Sequence, residues 1–187
     1  TPYYNKPSQR GLVEHHKAIA KAVNLPQLLY NVPSRTGIDM ENITVMELSD
    51  VKNIVGIKDA TGDISRIKSL KKEINSNFSF ISGDDLSFTE FLEEGGDGVI
   101  SVTANVKPFE MHKITTSIKN KNLLEAKQLN SKLDLLHQAM FVESNPIPVK
   151  WMLAHMGVIQ PFMRLPMVEL HKDNEGFVLK ALEKANA

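Results

Sequence analysis

The chain has 187 residues, of which 42% are apolar and 24% are charged, a composition typical of a globular protein with a sizeable core. Its 22 basic residues balance 22 acidic residues, which argues against a dedicated nucleic-acid-binding protein, because such proteins are usually basic. The absence of cysteine excludes disulfides, thiolate metal ligands and cysteine nucleophiles, and no apolar run approaches the roughly 18–20 residues that a membrane helix requires.

Short apolar strands alternate with helices along the first part of the chain. Apolar residues at helical spacing predict helices, and shorter apolar runs between turn residues predict strands. The predicted helices cover residues 11–23, 40–50, 63–74, 86–96 and 107–120, and the predicted strands cover residues 26–33, 53–60, 77–85 and 98–104. Asp63 is expected to cap the helix that it begins. Alternation of this kind indicates βα units and a parallel sheet, and therefore an α/β fold.

The alternation ends near residue 121. Beyond it, apolar periodicity predicts helices with no strand between them, over residues 122–141, 147–157 and 174–187. The sequence therefore predicts an α/β domain over residues 1–121 and an all-helical domain over residues 122–187.

Polar and reactive residues collect where the predicted strands end. Tyr30 and Arg35 lie at or just after the end of the first strand, Lys58 lies near the end of the second, and residues 82–85 follow the third. In parallel α/β proteins the carboxyl ends of the strands meet at one edge of the sheet, and that edge carries the active site. We therefore expect a functional site at this edge.

Lys58 is the residue with the most distinctive setting, because it interrupts an apolar strand. Burial disfavours the ammonium form, and an unprotonated amine can attack a carbonyl group to form a Schiff base. A phenol such as that of Tyr30 can relay protons, and the guanidinium of Arg35 suits a carboxylate. Taken singly, Lys58 and Arg35 are better explained as a lysine reaching into solvent and as a surface ion pair, and Tyr30 has an alternative as a rim aromatic residue. Together they predict aldolase chemistry on an acidic carbonyl substrate.

Several segments of the chain resemble one enzyme family, the dihydrodipicolinate synthases (4-hydroxy-tetrahydrodipicolinate synthases). The resemblance is carried by "TPYYNKPSQ", "LLYNVPSRTG", "NIVGIKDATGD", "SGDD" and "GVISVTANV", and it continues through "FVESNPIPVKW" and "RLPM". The family belongs to the superfamily of N-acetylneuraminate lyase and other pyruvate-dependent aldolases. The resemblance implies a (β/α)8 TIM barrel, of which this chain would supply strands five to eight with their helices, followed by a C-terminal helical appendage.

The resemblance also implies an activity. A cytoplasmic lyase would condense pyruvate with aspartate semialdehyde to 4-hydroxy-tetrahydrodipicolinate, in lysine and diaminopimelate biosynthesis. Lys58 would form the Schiff base with pyruvate, Tyr30 would relay protons, and Arg35 would hold the carboxylate of the semialdehyde. Gly83 and Ile100 would line the pyruvate pocket, largely through their backbone.

Assembly and bound groups follow from the same resemblance. Tyr4 would complete the proton relay of a neighbouring subunit, and Tyr3 would lie at the dimer interface, near the site at which lysine inhibits some members. A homotetramer built as a dimer of dimers is implied. No cofactor and no metal are implied beyond the covalent imine, apart from a monovalent cation held by carbonyl groups of residues 49–54.

The first half of the barrel is expected to come from outside this chain. That half would carry the Gly-Thr-Thr-Gly-Glu segment, whose threonine is the third member of the proton relay. A companion chain, a longer parent chain or the pairing of two copies would supply it. Two other functions stay open: a non-catalytic fragment that serves in assembly, and a sister aldolase acting on N-acetylneuraminate or keto-sugar acids, which the arginine at position 35 disfavours.

Overall fold

Strands and helices alternate through residues 1–100, as the sequence predicts. The computed structural model describes residues 1–74 and 77–186. Its strands are β1 (Gln27–Asn31), β2 (Ile54–Asp59), β3 (Ser79–Ser82) and β4 (Gly98–Val99). Its helices are α1 (Gln9–Ala22), α2 (Pro33–Thr36), α3 (Asn42–Ser49), α4 (Ile64–Glu73), α5 (Phe88–Glu93), α6 (Pro108–Lys119), α7 (Leu123–Ala139), α8 (Ile147–His155) and α9 (Lys172–Asn186).

The strands form one parallel sheet in the order β1-β2-β3-β4. The α/β class and the parallel sheet are therefore confirmed. Since every pair is parallel, the carboxyl ends of all the strands lie at the same edge of the sheet. The assignment of these strands to positions five to eight of a barrel stays a prediction.

The core of the first unit lies between one face of the sheet and the helices. Leu29, Ile57 and Phe80 are at most 2% exposed and belong to one apolar cluster. The helices contribute Leu12, Val13, Val45, Leu48, Ile67 and Leu70 to the same cluster. Full burial of such a side chain stabilises the fold by about 1.5–3 kcal/mol. Leu28 and Tyr30 alternate with Leu29 along β1 and are 49% and 40% exposed, so they lie on the opposite face.

The chain divides into two compact units, Thr1–Ile100 and Ser101–Ala187. In the second unit α7 packs against both α6 and α9, and Leu136 on α7 and Val178 on α9 are fully buried. Because α6 packs on α7, the units divide before α6 and not at the predicted boundary near residue 121. The last residue of the predicted helix 174–187 lies outside the described residues. Among the helices described, none has the length and apolar character needed to cross a membrane.

Local hydrogen bonds change two of the predicted elements. The predicted strand 98–104 ends after Val99, because a 3-10 turn over Thr103–Asn105 follows, with the Ala104 N–H donating to the Ser101 hydroxyl at 2.9 Å. The predicted strand 26–33 ends at Asn31, because Pro33 begins α2, and Gly37 ends this helix in the left-handed region at φ 70.

Candidate active site

Lys58 and Tyr30 are paired residues on β2 and β1, so their side chains leave the same face of the sheet. The Nζ atom of Lys58 lies 4.1 Å from the centroid of the Tyr30 ring. An aromatic face at this distance attracts an ammonium group through the ring quadrupole. Lys58 is half-buried, whereas Tyr30 is exposed. The structure therefore brings together the amine and the phenol that the sequence singles out, at the carboxyl edge of the sheet.

Gly83 leaves the space that the Lys58 side chain occupies. A β-carbon at position 83 would lie 2.8 Å from Cε of Lys58 and 2.9 Å from Cβ of Ala60, closer than such atoms approach in proteins. The Gly83 N–H donates to the carbonyl oxygen of Asp59 at 2.7 Å, which fixes the backbone of residue 83 beside the end of β2. The absence of a side chain at Gly83 therefore leaves room for the Lys58 side chain, a contact that the sequence does not predict.

The turn after β3 and the end of β4 complete this edge. The Ile100 N–H donates to the carbonyl oxygen of Ser82 at 2.9 Å. Ile100 is 50% exposed. Asp84 accepts hydrogen bonds from the N–H and the hydroxyl of Ser87, at 2.9 and 2.6 Å, and so closes the turn that leads into α5. Gly83 and Ile100 therefore follow neighbouring strands at the edge where Lys58 lies.

The remaining predicted residues lie away from the sheet pairing. Arg35 stands on α2, directly after β1, and is exposed. Tyr3 and Tyr4 precede α1 and are 68% and 91% exposed. The hydroxyl of Thr1 donates to the carbonyl oxygen of Tyr30 at 2.7 Å, so the start of this segment is attached to the end of β1. The roles assigned to Arg35, Tyr3 and Tyr4 stay predictions.

A buried polar network lies next to Lys58, and it was not predicted from the sequence. The carboxylate of Asp59, which follows Lys58 directly, accepts hydrogen bonds from the Thr61 N–H at 2.8 Å, from the Thr61 hydroxyl at 2.6 Å and from Nε of Arg66 at 2.9 Å. Asp59 is 7% exposed. A buried carboxylate requires such partners, so an acidic residue at the end of an apolar strand was the signal for this network.

The histidines do not form a metal site in the part of the chain that the structure describes, where no group of three or more His, Asp or Glu side chains could hold a metal ion. His16 on α1 has a buried Nε2 atom with no hydrogen-bond partner among the described residues. Burial, together with the charge of the neighbouring His15, lowers the pKa of His16 to about 4. The charged form of His16 is therefore disfavoured, and a neutral packing role explains this residue.

The segment implied to bind a monovalent cation lies at the opposite, amino edge of the sheet. It borders an open depression of about 360 Å³, lined by Ser49, Asp50, Val51, Lys52, Ile54, Val55, Asn77 and Phe78. The carbonyl oxygens of Val51 and Asn53 accept N–H groups at 2.9 and 2.8 Å, and each carbonyl keeps a second lone pair. Oxygen donors of this kind suit a hard cation. The carbonyl groups are of the chemical type that binds the predicted cation, and its binding stays a prediction.

Comparisons with known proteins agree with the expected family. The model of the dihydrodipicolinate synthetase family matches residues 1–185. The 4-hydroxy-tetrahydrodipicolinate synthase of Thioalkalivibrio sulfidiphilus is 51% identical over 185 residues, which cover 99% of this chain and 63% of that protein. The protein of the same name from Buchnera aphidicola subsp. Schizaphis graminum is 49% identical over 187 residues, which cover 100% of this chain and 64% of that protein.

Solved structures resemble this chain equally closely. The crystal structure of the chloride-inhibited dihydrodipicolinate synthase from Acinetobacter baumannii, complexed with pyruvate, has a TM-score of 0.96 and 49% sequence identity. The match covers 100% of this chain and 64% of the Acinetobacter chain, so the chain spans less than two thirds of the length of these relatives. Because the family model extends over nearly the whole sequence, the chain belongs to the dihydrodipicolinate synthetase family.

Proposed function

We propose that this protein serves the condensation of pyruvate with aspartate semialdehyde to 4-hydroxy-tetrahydrodipicolinate, a lyase reaction of lysine and diaminopimelate biosynthesis in the cytoplasm. The observation that carries the proposal is the amine of Lys58 at the carboxyl edge of the sheet, 4.1 Å from the Tyr30 ring. The names of the relatives and the pyruvate bound in the Acinetobacter enzyme support it. A complete barrel made from further strands is part of the proposal, because the chain spans 63–64% of its relatives.

Lys58 makes the covalent bond to the first substrate. Its unprotonated Nζ attacks the keto carbon of pyruvate to give a carbinolamine, and uptake of one proton with loss of one water molecule gives the iminium. The positive charge of the iminium stays at the same nitrogen, beside the face of Tyr30, and the ring favours a cation there. Loss of a proton from the pyruvate methyl group then gives the enamine.

The enamine forms the carbon–carbon bond. Its terminal carbon attacks the aldehyde carbon of aspartate semialdehyde, and the amino group of the adduct closes onto the imine carbon and releases Lys58. Tyr30 and the Tyr4 of a neighbouring copy pass the protons for these steps, and Arg35 binds the carboxylate of the semialdehyde. The 91% exposure of Tyr4 supports this role, because the side chain is available to a second copy.

The proposed pocket and assembly use the other predicted residues. Gly83 and Ile100 present backbone to pyruvate, and Tyr3 packs at the interface of a homo-oligomer, for which its 68% exposure is favourable. A monovalent cation would be held by carbonyl groups of residues 49–54, beside the depression at the amino edge of the sheet. The covalent imine makes any further cofactor unnecessary for the reaction.

Borohydride trapping tests the proposal directly. The protein is incubated with pyruvate, reduced with borohydride and digested, and the modified peptide is identified by mass spectrometry. We expect a reduced pyruvyl adduct on Lys58 and none when pyruvate is omitted. The absence of an adduct would favour the non-catalytic assembly function, and an adduct on another lysine would show that the nucleophile is wrong.

The second substrate separates this reaction from that of the sister aldolases. Condensation with aspartate semialdehyde and cleavage of N-acetylneuraminate are measured side by side on the protein in its native assembly. We expect turnover of the semialdehyde, because the guanidinium of Arg35 matches a carboxylate in a planar, two-bond geometry. Preferential turnover of the sugar acid would replace the proposed reaction.

Replacement of Gly83 by alanine is expected to displace the nucleophile. The new methyl group would meet Cε of Lys58 at 2.8 Å, so the flexible lysine has to move away from Tyr30. A displacement of about 1 Å can slow a reaction by about 100-fold, and we expect a 10- to 100-fold fall in the rate of borohydride-trapped adduct formation. Overpacking against Ala60 adds a destabilisation of about 1–3 kcal/mol, measurable by thermal unfolding.

Gly98→Ala is the matched control for this replacement. Gly98 lies on β4, and a β-carbon there would meet only Cδ1 of Ile81 on β3, at an ordinary 3.8 Å. The rate of adduct formation is expected to stay unchanged in Gly98→Ala. Equal rates in the Gly83 and Gly98 variants would mean that the space left by Gly83 does not position the lysine.

A further inference from the structure

The guanidinium of Arg66, on α4, joins three separate parts of the first unit. Its Nε donates to Oδ2 of Asp59 at 2.9 Å, and its Nη1 donates to Oδ2 of Asp39 at 3.3 Å. Its Nη2 donates to the carbonyl oxygen of Met40. The Arg66 side chain is only 11% exposed, and that of Asp59 is 8% exposed. The planar, rigid fork of arginine thus donates to three acceptors, of which the Asp59 carboxylate is buried and the Asp39 side chain is 48% exposed.

The same network reaches the neighbouring strand. Nδ2 of Asn31 donates to Oδ1 of Asp39 at 2.7 Å, and Oδ1 of Asn31 accepts the Met40 N–H at 3.0 Å. Asn31 is fully buried, at 0% exposure, and it is the register partner of Asp59 across β1 and β2. The hydrogen bonds thus run from the end of one strand to the end of the next through Arg66.

These anchored residues are the direct neighbours of the proposed catalytic pair. Asn31 follows Tyr30, and Asp59 follows Lys58, so the network fixes the backbone on which both side chains stand. Because successive strand side chains point to opposite faces, the network lies behind the sheet and does not touch the substrate side. Asp39 and Met40 also end the segment that begins with α2 and carries Arg35.

Stability alone does not account for such a network. A buried ion pair gives little net stabilisation compared with apolar residues of similar size, because both charges have to be desolvated. A fully hydrogen-bonded network, in contrast, permits one arrangement of the groups that it joins. We propose that Arg66 is a positioning residue for the proposed reaction. Arg66 holds the strand ends that carry Tyr30 and Lys58, and the segment that carries Arg35, in one relative arrangement.

Variants of Arg66 with a matched control test this role, which rests on the proposed function. Arg66→Met removes the fork, and Arg66→Lys keeps the charge without the three-way geometry. Lys68→Met is the control, because it removes a cation from the same helix, where Lys68 makes an exposed ion pair with Glu94 at 3.1 Å. The rate constant of borohydride trapping with pyruvate is measured per folded molecule, with the folded fraction taken from circular dichroism.

A second measurement reports on the position of Lys58 without any substrate. Acetic anhydride labels lysines in competition, and mass spectrometry gives the labelling of Lys58 relative to the exposed Lys121 over a range of pH. A residue that only stabilises the fold lowers the folded fraction but leaves this pH profile and the trapping rate constant per folded molecule unchanged. The labelling is read even when pyruvate gives no adduct, so failure of the proposed function is distinguished from failure of the positioning role.

We expect Arg66→Met to lower the trapping rate constant by about 10- to 100-fold and to shift the labelling profile of Lys58. Arg66→Lys is expected to fall between Arg66→Met and the unchanged protein, and Lys68→Met is expected to equal the unchanged protein. If Arg66→Met does not fold, Arg66→Lys and Asp39→Asn carry the test, with a fall of up to about fivefold in Asp39→Asn. Unchanged labelling profiles and rate constants in the folded variants would overturn the proposal.

Discussion

Lys58→Arg is expected to abolish the borohydride-trapped pyruvate adduct. Guanidinium keeps its proton at neutral pH and does not form an imine with a ketone, whereas the lysine amine does. In the unchanged protein the Nζ atom of Lys58 lies 4.1 Å from the centroid of the Tyr30 ring. Arginine retains a long cationic side chain at this position, so the cation–π contact can persist although imine formation is lost. Intact-mass measurement after reduction checks the result, because each trapped pyruvate adds a fixed mass to the chain.

Lys21→Arg provides the comparison for this result. Lys21 is exposed in the last turn of α1, which precedes the amino end of β1, so its replacement changes a lysine to an arginine in the same way without reaching the carboxyl edge of the sheet. Adduct formation in Lys21→Arg is expected to equal that of the unchanged protein. Retention of the adduct in Lys58→Arg would mean that a different lysine is the nucleophile and that the paired positions of Lys58 and Tyr30 are structural.

Most of the fold is predictable because its periodicity is strong. The alternation of strands and helices up to β4, and the helices beyond it, follow from the spacing of apolar residues alone. The end of β4 is not predictable in this way, because the apolar run after Val99 has the composition of a strand. The Ser101 hydroxyl, which accepts the Ala104 N–H at 2.9 Å, turns the backbone there. Side-chain hydrogen bonds of this kind compete with the sheet and leave no periodic signal.

The candidate site is predictable as a set of residues but not as a geometry. Strand-end positions and residue chemistry single out Lys58, Tyr30 and Arg35. The proposed role of Arg66 depends on the register of β1 and β2. Only the pairing of Asn31 with Asp59 brings together the two strand residues that the hydrogen bonds of Arg66 and Asp39 connect. Residues so distant in sequence carry no spacing signal. A sequence pattern therefore identifies side chains with the chemistry of the proposed reaction, but it does not identify the side chains that hold them in place.

Arg35→Ala is expected to weaken the use of aspartate semialdehyde far more than the capture of pyruvate. Loss of one partner of a bound charge pair costs about 2–5 kcal/mol, which corresponds to roughly a 30-fold or larger fall in kcat/KM for the semialdehyde. Imine formation precedes the arrival of this substrate, so the trapping of pyruvate on Lys58 should change little. Steady-state kinetics for the semialdehyde and borohydride trapping for pyruvate measure the two effects on the same preparation.

The position of Arg35 on α2 makes this contrast informative. Pro33 begins this helix and Gly37 ends it in the left-handed region, so Arg35→Ala keeps both residues that define the ends of α2. Arg10→Ala, which removes the same side chain from an exposed position of α1, should alter neither measurement. Arg35→Lys should recover part of the loss, because an ammonium retains the charge but not the two-bond geometry. Equal losses in semialdehyde use and pyruvate capture would show instead that Arg35 shapes the edge of the sheet on which both substrates depend.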